Sequence, residues 1–225
     1  MSSGRVVVGR RLATVMLSYL GGALPVVYLL GRLAGVDLRR YGSRNVGSHN
    51  LSGAAGPAVG LAGWLSDAAK GVLAVLVTRR LGQNEAAAGS ALLGAIGGQC
   101  WSPFLGWSGG RGVAPLVGGM LTLTPRVAPW PLGVIAAIAG LRPLLPATNR
   151  ISGRLHNSAV PLGVLVGALV WPVVCRGGSS RSHTATAAAA AFLLIVRRIT
   201  ANGWPNAPAW PIRLLSRAVL DREQW

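Results

Sequence analysis

Long apolar segments alternate along the chain with short polar inserts rich in glycine. Seven of these segments predict membrane spans, at roughly residues 13–34, 57–78, 85–101, 112–125, 127–147, 159–175 and 183–199. Because about 20 residues are needed to cross a bilayer, the short third and fourth segments are expected to tilt or break around the glycine-rich joint between them. The pattern predicts an all-α polytopic membrane helical bundle that forms a single integral membrane domain over residues 1–225.

The composition supports a membrane protein. Hydrophobic residues make up 51% of the chain and charged residues only 12%, whereas about a quarter of the residues in soluble domains are charged. The glycines and prolines fall largely within the apolar segments, where glycine permits close helix packing and neighbouring helices tolerate proline. Cys100 and Cys175 are far apart, and no cluster of metal-ligand residues accompanies them, so neither a disulfide framework, a metal nor a cofactor is expected.

The net charge of +17 is compatible with nucleic-acid binding, but the arginines are spread between the apolar segments rather than clustered. Such spacing is typical of membrane topology and of contact with anionic lipid, so no nucleic-acid partner is expected. An N-terminus outside the cell leaves an arginine excess on the cytoplasmic side. That orientation places the 41–53, 106–112 and 147–158 loops and the C-terminal tail on the cytoplasmic face, where they can build one site.

The insert "YGSRNVGSHNLSG", residues 41–53, combines glycines that permit unusual backbone angles with uncharged hydrogen-bonding side chains. Arg44 and His49 can add positive charge. The composition suits a phosphate or polyol ligand, and an ordinary turn rich in asparagine and glycine is the alternative.

The insert "GWSGGRGVA", residues 106–114, separates two apolar segments. Its glycines allow backbone N–H groups to point at one anion, and a helix starting at Gly112 adds its positive end. Arg111 supplies forked donors suited to phosphate oxygens. The alternative is a tight glycine turn in which Arg111 anchors at the lipid headgroups.

Asp67 and Lys70 lie three residues apart within the second predicted span, on one helix face where they can pair. Ionisable groups inside a span are energetically costly and mark a functional site by default. The alternative is a self-neutralised pair near the interface, with the Lys70 side chain extended toward water.

Together these inserts resemble motifs of the bacterial acyl-phosphate:glycerol-3-phosphate acyltransferase family (PlsY type). The family motif S-G-N-x-G-A-T-N corresponds to "SRNVGSHN", D-x-x-K-G to "DAAKG", and G-H-x-[FW]-P with F-x-G-G-K-G-V-A to "GQCWSPFLGWSGGRGVA". Order and spacing agree from about residue 13 to residue 120. Matching positions are Ser43, Asn45, Gly47, Asn50, Asp67, Lys70, Gly71, Gly98, Trp101, Gly109, Gly110, Gly112, Val113 and Ala114.

The resemblance implies transfer of a fatty acyl group from acyl-phosphate to the sn-1 hydroxyl of glycerol 3-phosphate, giving lysophosphatidic acid for phospholipid synthesis. It implies a site on the cytoplasmic face of a bacterial plasma membrane, with the acyl chain among the helices and membrane lipid around them. The residues expected to bind substrate and phosphate are Ser43, Asn45, Gly47, Asn50, Lys70, Gly109, Gly110, Arg111 and Gly112.

The chain also departs from the family pattern. Gln99 and Arg111 stand where the family has histidine and lysine, and Ile199 stands where the third motif has its catalytic histidine. Asn202 is then the candidate catalytic residue. Two alternatives follow: a catalytically degenerate relative that binds lipid or phosphate or scaffolds a membrane partner, and a small-solute transporter.

Overall fold

A computed structural model describes the backbone of residues 2–141, 144 and 150–201, and the side chains of residues 4–141, 144 and 159–201. These residues form helices and connecting turns, and the only extended pairing among them is the isolated bridge between Ser102 and Ser108. The all-α prediction is therefore confirmed. The chain divides into two compact units, residues 1–125 and residues 126–225, which are described separately.

The first unit contains six α-helices and a short 3₁₀ helix at Pro103–Leu105. Helix α1 packs along α5, and α4 packs along α6. The helices are α1 (Ser2–Ala23), α2 (Val26–Leu33), α3 (Ser48–Ala55), α4 (Pro57–Arg80), α5 (Glu85–Cys100) and α6 (Val113–Leu123).

The second unit contains α7 (Pro129–Gly140), α8 (Arg150–Gly178) and α9 (Arg181–Thr200). Helix α8 packs against both of the others. At Gly167 a Cβ atom would lie 2.8 Å from the Pro131 carbonyl oxygen, so the backbones of α7 and α8 approach closely there. Helix α9 begins where the Ser180 hydroxyl accepts a hydrogen bond from the His183 amide, which caps the helix.

The described helices can be compared with the predicted spans. Among the described residues, three helical segments are long and apolar enough to cross a membrane: Gly4–Leu33, Pro57–Arg80 and Ala159–Gly178. The count of seven is not confirmed. The first predicted span contains a break at Leu24 and Pro25, because proline has no N–H group to continue the helix. The predicted 147–158 loop is wrong from residue 150 onward, because α8 begins there.

Glycines set the closest helix contacts of the first unit. A Cβ atom at Gly71 of α4 would lie 2.0 Å from the Pro115 carbonyl oxygen of α6. One at Gly98 of α5 would lie 2.0 Å from the Tyr19 carbonyl oxygen of α1. Both distances are far below van der Waals contact, so the backbones can approach this closely only because glycine lacks a side chain. These contacts hold α1, α4, α5 and α6 together around the polar residues described below.

We expect Gly71→Ala to destabilise the protein by about 1–3 kcal/mol, because the added methyl group meets backbone atoms that cannot rotate away. Thermal unfolding of the purified protein in detergent measures the effect. Gly21→Ala is the matched control, since a Cβ atom at Gly21 meets nothing within 4 Å. Equal midpoints for the two variants would contradict the proposed close contact.

Candidate functional site

At the break between α1 and α2, two carbonyl groups accept hydrogen bonds from side chains in other parts of the first unit, and the Leu24 carbonyl also accepts from the Val26 amide at 3.0 Å. The Ser102 hydroxyl donates to the Ala23 carbonyl at 2.7 Å, and Lys70 Nζ donates to the Leu24 carbonyl at 2.7 Å. An unsatisfied carbonyl is costly where water is excluded, so these bonds stabilise the break. The break therefore lies directly against Lys70.

Asp67 and Lys70 form the predicted ion pair, with 2.7 Å between Lys70 Nζ and Asp67 Oδ1. Their side chains are only 3% and 9% exposed, so the pair is a buried one. Gln99 bridges it: its Nε2 donates to Asp67 Oδ2 at 2.7 Å, and its Oε1 accepts from Lys70 Nζ at 2.9 Å. We call Asp67, Lys70 and Gln99 the polar cluster.

The ammonium group of Lys70 has three N–H donors. Its partners are Asp67 Oδ1, Gln99 Oε1 and the Leu24 carbonyl oxygen. Two of these contacts are hydrogen bonds, to Gln99 and Leu24, and the contact with Asp67 Oδ1 is an ion pair. A phosphate group that approaches Lys70 therefore competes with Asp67 for its charge. Through these contacts Lys70 connects α4 to α5 and to the end of α1. Phosphate binding by Lys70 stays a prediction.

The turn before the 41–53 loop is fixed by Asp37 and Arg39. The Arg39 side chain donates to both carboxylate oxygens of Asp37, at 3.1 Å and 2.9 Å, and its guanidinium lies over the Tyr28 ring. These hydrogen bonds from Arg39 lower the pKa of the Asp37 carboxyl to about 2. Asp37 therefore stays ionised across the physiological pH range, and the anchor of the loop does not titrate there.

Asn50 organises the 41–53 loop from inside. Its Nδ2 donates to the carbonyls of Leu38, Tyr41 and Asn45 at 3.0–3.1 Å, and its Oδ1 accepts from the Ser43 amide at 3.2 Å. The residue is 6% exposed. Its amide therefore holds the loop backbone in shape, and substrate binding by Asn50 stays a prediction.

The same loop contains a helix that the sequence did not predict. Helix α3 starts after Gly47, whose carbonyl accepts from the Leu51 amide at 3.0 Å. Before it, Gly42 and Arg44 adopt positive φ angles of 52° and 56°. Glycine adopts this conformation without strain, whereas a non-glycine residue such as Arg44 is held there at a cost of about 1 kcal/mol.

The 106–112 loop folds back onto the end of α5. The Gly110 amide donates to the Gln99 carbonyl at 2.9 Å, and a Cβ atom at Gly109 would lie 2.3 Å from that same oxygen. A Cβ atom at Gly110 would lie 2.9 Å from the Val46 carbonyl oxygen. The two glycine-rich inserts therefore contact each other, and their position on the cytoplasmic face stays a prediction.

These contacts limit which donor groups can bind an anion at the 106–112 loop. The Gly110 N–H already has a partner, so an anion must use other donors. Helix α6 begins after Gly112, which has a positive φ of 73°, and no side chain caps this end. The amides of the first turn of α6 and the half-buried Arg111 are thus the donors that best fit the predicted phosphate contact.

A shallow cleft joins these parts of the first unit. It is lined by Leu24 at the helix break, Val46 of the 41–53 loop, Gly110 of the 106–112 loop, and the polar cluster. Of the predicted site residues, Lys70 and Gly110 line it directly. Ser43, Asn45 and Gly47 lie in the adjoining loop, Gly109, Arg111 and Gly112 flank Gly110, and Asn202 lies outside the described residues.

Sequence reasoning missed Gln99 as part of the site and treated it only as a departure from a family motif. The sequence feature that could have identified it is a long polar side chain near the buried end of a helix made mainly of small and apolar residues. The role of the Leu24 carbonyl as an acceptor for Lys70 was also missed, although Pro25 inside the first predicted span indicated a break in the helix.

In the second unit, the buried Arg198 donates to the carbonyl of Pro161. This bond joins α9 to α8, at the position where the third family motif was sought in the sequence. Arg198 therefore has a structural partner within its own unit.

A model of the family described as glycerol-3-phosphate acyltransferase matches residues 12–212. The chain belongs to the glycerol-3-phosphate acyltransferase family. Relatives carrying that name include proteins of Synechococcus sp., 35% identical over 83% of this chain and 86% of the relative, and of Rubrobacter xylanophilus, 40% identical over 54% and 60%. A Moorella thermoacetica relative, glycerol-3-phosphate acyltransferase 2, is 41% identical over 72% of this chain and 75% of its own.

Solved structures show the same fold. Crystal structures of PlsY, an integral membrane glycerol 3-phosphate acyltransferase, match with a TM-score of 0.70 in both the lysophosphatidic acid form and the glycerol 3-phosphate form. Sequence identities are 24% and 23%, and the matches cover 84% and 90% of this chain. The chain thus has the all-α fold of these structures, and three of its described helical segments are long and apolar enough to cross a membrane.

Proposed function

We propose that this chain transfers a fatty acyl group from acyl-phosphate to the sn-1 hydroxyl of glycerol 3-phosphate in a bacterial plasma membrane. The observation that carries the proposal is the cleft in which the two glycine-rich loops meet the buried polar cluster at the end of apolar helices. Family membership and the names of the relatives support the same activity.

Both substrates carry a phosphate group, which sets what the site must provide. Arg111 offers a fixed positive charge with several N–H donors, and the start of α6 adds backbone amides and the positive end of its dipole. The acyl chain is apolar and fits among the membrane-spanning helices. We assign phosphate recognition to the 106–112 loop and the orientation of that loop to its contacts with Gln99 and Val46.

In the reaction, the sn-1 oxygen forms a bond to the acyl carbonyl carbon, and the bond from that carbon to the phosphate oxygen breaks. Inorganic phosphate leaves, and the proton of the hydroxyl group passes to it. Acyl-phosphate is already activated, so positioning of the two substrates and stabilisation of developing charge supply most of the required acceleration. A general base contributes about 10²–10⁴-fold, so the reaction proceeds, more slowly, without the histidine of the third family motif.

The direct test uses the purified protein in detergent with acyl-phosphate and glycerol 3-phosphate. We expect lysophosphatidic acid and inorganic phosphate in equal amounts, measured by mass spectrometry and a phosphate assay. Acyl-CoA is the control donor and should give no product. Well-folded protein that forms no lysophosphatidic acid above background would refute the proposed activity.

One observation favours a non-catalytic alternative, in which the protein binds phosphate or lipid without turnover. The Gly110 amide donates to the Gln99 carbonyl, and Lys70 donates to Leu24 and Gln99 and pairs with Asp67, which leaves fewer groups for a reacting substrate. The alternative expects saturable binding of glycerol 3-phosphate, measured by calorimetry, with no product formed.

A further inference from the structure

Gln99 contacts both the buried ion pair and the 106–112 loop. Its side chain joins the two members of a buried ion pair, donating to Asp67 and accepting from Lys70. Its backbone carbonyl accepts the Gly110 amide at 2.9 Å. Gln99 is itself only 8% exposed. One residue therefore connects α4 to the glycine-rich loop.

The chemistry of the side chain explains why glutamine fits here. A carboxamide has donor hydrogens on its nitrogen and an acceptor oxygen. Its nitrogen can therefore bind an anion and its oxygen a cation, but not the reverse. The nitrogen faces the Asp67 carboxylate and the oxygen faces the Lys70 ammonium, so both bonds are charge-assisted. The surrounding charges thus hold the amide plane in one orientation.

The fixed Gln99 amide also constrains the 106–112 loop. A Cβ atom at Gly110 would lie 2.7 Å from Gln99 Nε2 and 2.9 Å from the Val46 carbonyl oxygen. Gly110 is therefore enclosed between Gln99 and the 41–53 loop. A change in the position of Gln99 would move Gly110 and, with it, the adjacent Arg111.

We infer that Gln99 is a positioning residue for phosphate binding: it couples the buried Asp67–Lys70 pair to the 106–112 loop and fixes Arg111 and the start of α6 relative to the substrate. The inference rests on the proposed function for the identity of the ligand. Gln99 itself need not touch the substrate, so its loss should act mainly on KM for glycerol 3-phosphate.

The test compares three substitutions at this position. Gln99→Met keeps length and approximate volume but removes both hydrogen-bonding groups, and it should lower kcat/KM at least about tenfold, through a higher KM. Gln99→Glu places a second carboxylate beside Asp67 and should also lose function. Gln99→His keeps one donor and one acceptor, so it should recover most of the activity that Gln99→Met loses.

Gln83→Met is the matched control. Gln83 lies between α4 and α5, and its amide donates to the Thr14 hydroxyl, away from the cleft. This variant should keep the wild-type KM. If Gln99 only fills space, methionine should serve as well as glutamine, because volume-conserving changes in a packed interior are well tolerated. A folded Gln99→Met protein with wild-type kinetics would overturn the inference.

Folding and the underlying activity are monitored separately. If Gln99→Met does not fold, Gln99→His provides the test. A KM close to that of the wild type supports the positioning role, and a folded but inactive Gln99→His protein refutes it. Failure of both variants to fold would make Gln99 a residue of the fold and end the assignment. Calorimetric binding of glycerol 3-phosphate is measured in parallel. Wild-type binding without product refutes the proposed activity alone, whereas equal affinity for wild type and Gln99→Met refutes the positioning role alone.

Discussion

Replacement of Lys70 by methionine should lower the free energy of unfolding by about 3–5 kcal/mol, because it leaves the Asp67 carboxylate buried without its cation. The same change removes the hydrogen bonds that Lys70 donates to Gln99 Oε1 and to the Leu24 carbonyl, which keeps its bond from the Val26 amide. Unfolding of the purified protein in detergent, followed by loss of helical signal, measures this effect. We expect no acyl transfer from the variant at temperatures where the wild type is active.

A double variant separates the lost interaction from the cost of the unpaired buried charge. The double variant Asp67→Leu with Lys70→Met removes both charges and should recover much of the stability, because paired removal of a buried ion pair is often nearly neutral. Arg39→Met is the control, since it breaks the more exposed pair with Asp37 and should change stability little. A Lys70→Met protein as stable as wild type would show that the buried pair contributes nothing.

Arg111→Ala should weaken the interaction with substrate phosphate by roughly 1.5–3 kcal/mol, the range for a charge-assisted hydrogen bond. This loss corresponds to a decrease of about ten- to more than a hundredfold in kcat/KM. Steady-state kinetics with varied glycerol 3-phosphate, together with calorimetric binding, measure it. Arg111→Lys should retain much of the function, because the family motif has lysine at this position.

The alternative role of Arg111, as an anchor at the lipid headgroups, makes a different prediction. Alanine would then reduce membrane insertion and expression slightly and leave phosphate affinity unchanged. Arg80→Ala, at the exposed last turn of α4, controls for the loss of one positive charge. Unchanged binding of glycerol 3-phosphate by Arg111→Ala would end the assignment of Arg111 to phosphate recognition.

Sequence reasoning was strongest where interactions are local or where motifs are continuous. Asp67 and Lys70 are three residues apart, and helix geometry alone brings such side chains together. Counting the predicted spans between the two glycine-rich loops placed both loops on the same side of the membrane. The predicted spans missed the break at Pro25, although its cause is local, because proline has no N–H group to continue the helix. They also missed helix α3, which packs against α4.

The low charge and apolar segments determined by themselves that the chain is an all-α membrane protein, because only helices or closed barrels satisfy the backbone within lipid. The order of the motifs likewise indicated the family. Tertiary structure alone decided how the site is held together. Gln99 is 32 positions from Asp67, and Lys70 is 46 positions from Leu24. These bonds form only because glycines allow the helix backbones to approach, and no local pattern in the sequence specifies which side chains then meet.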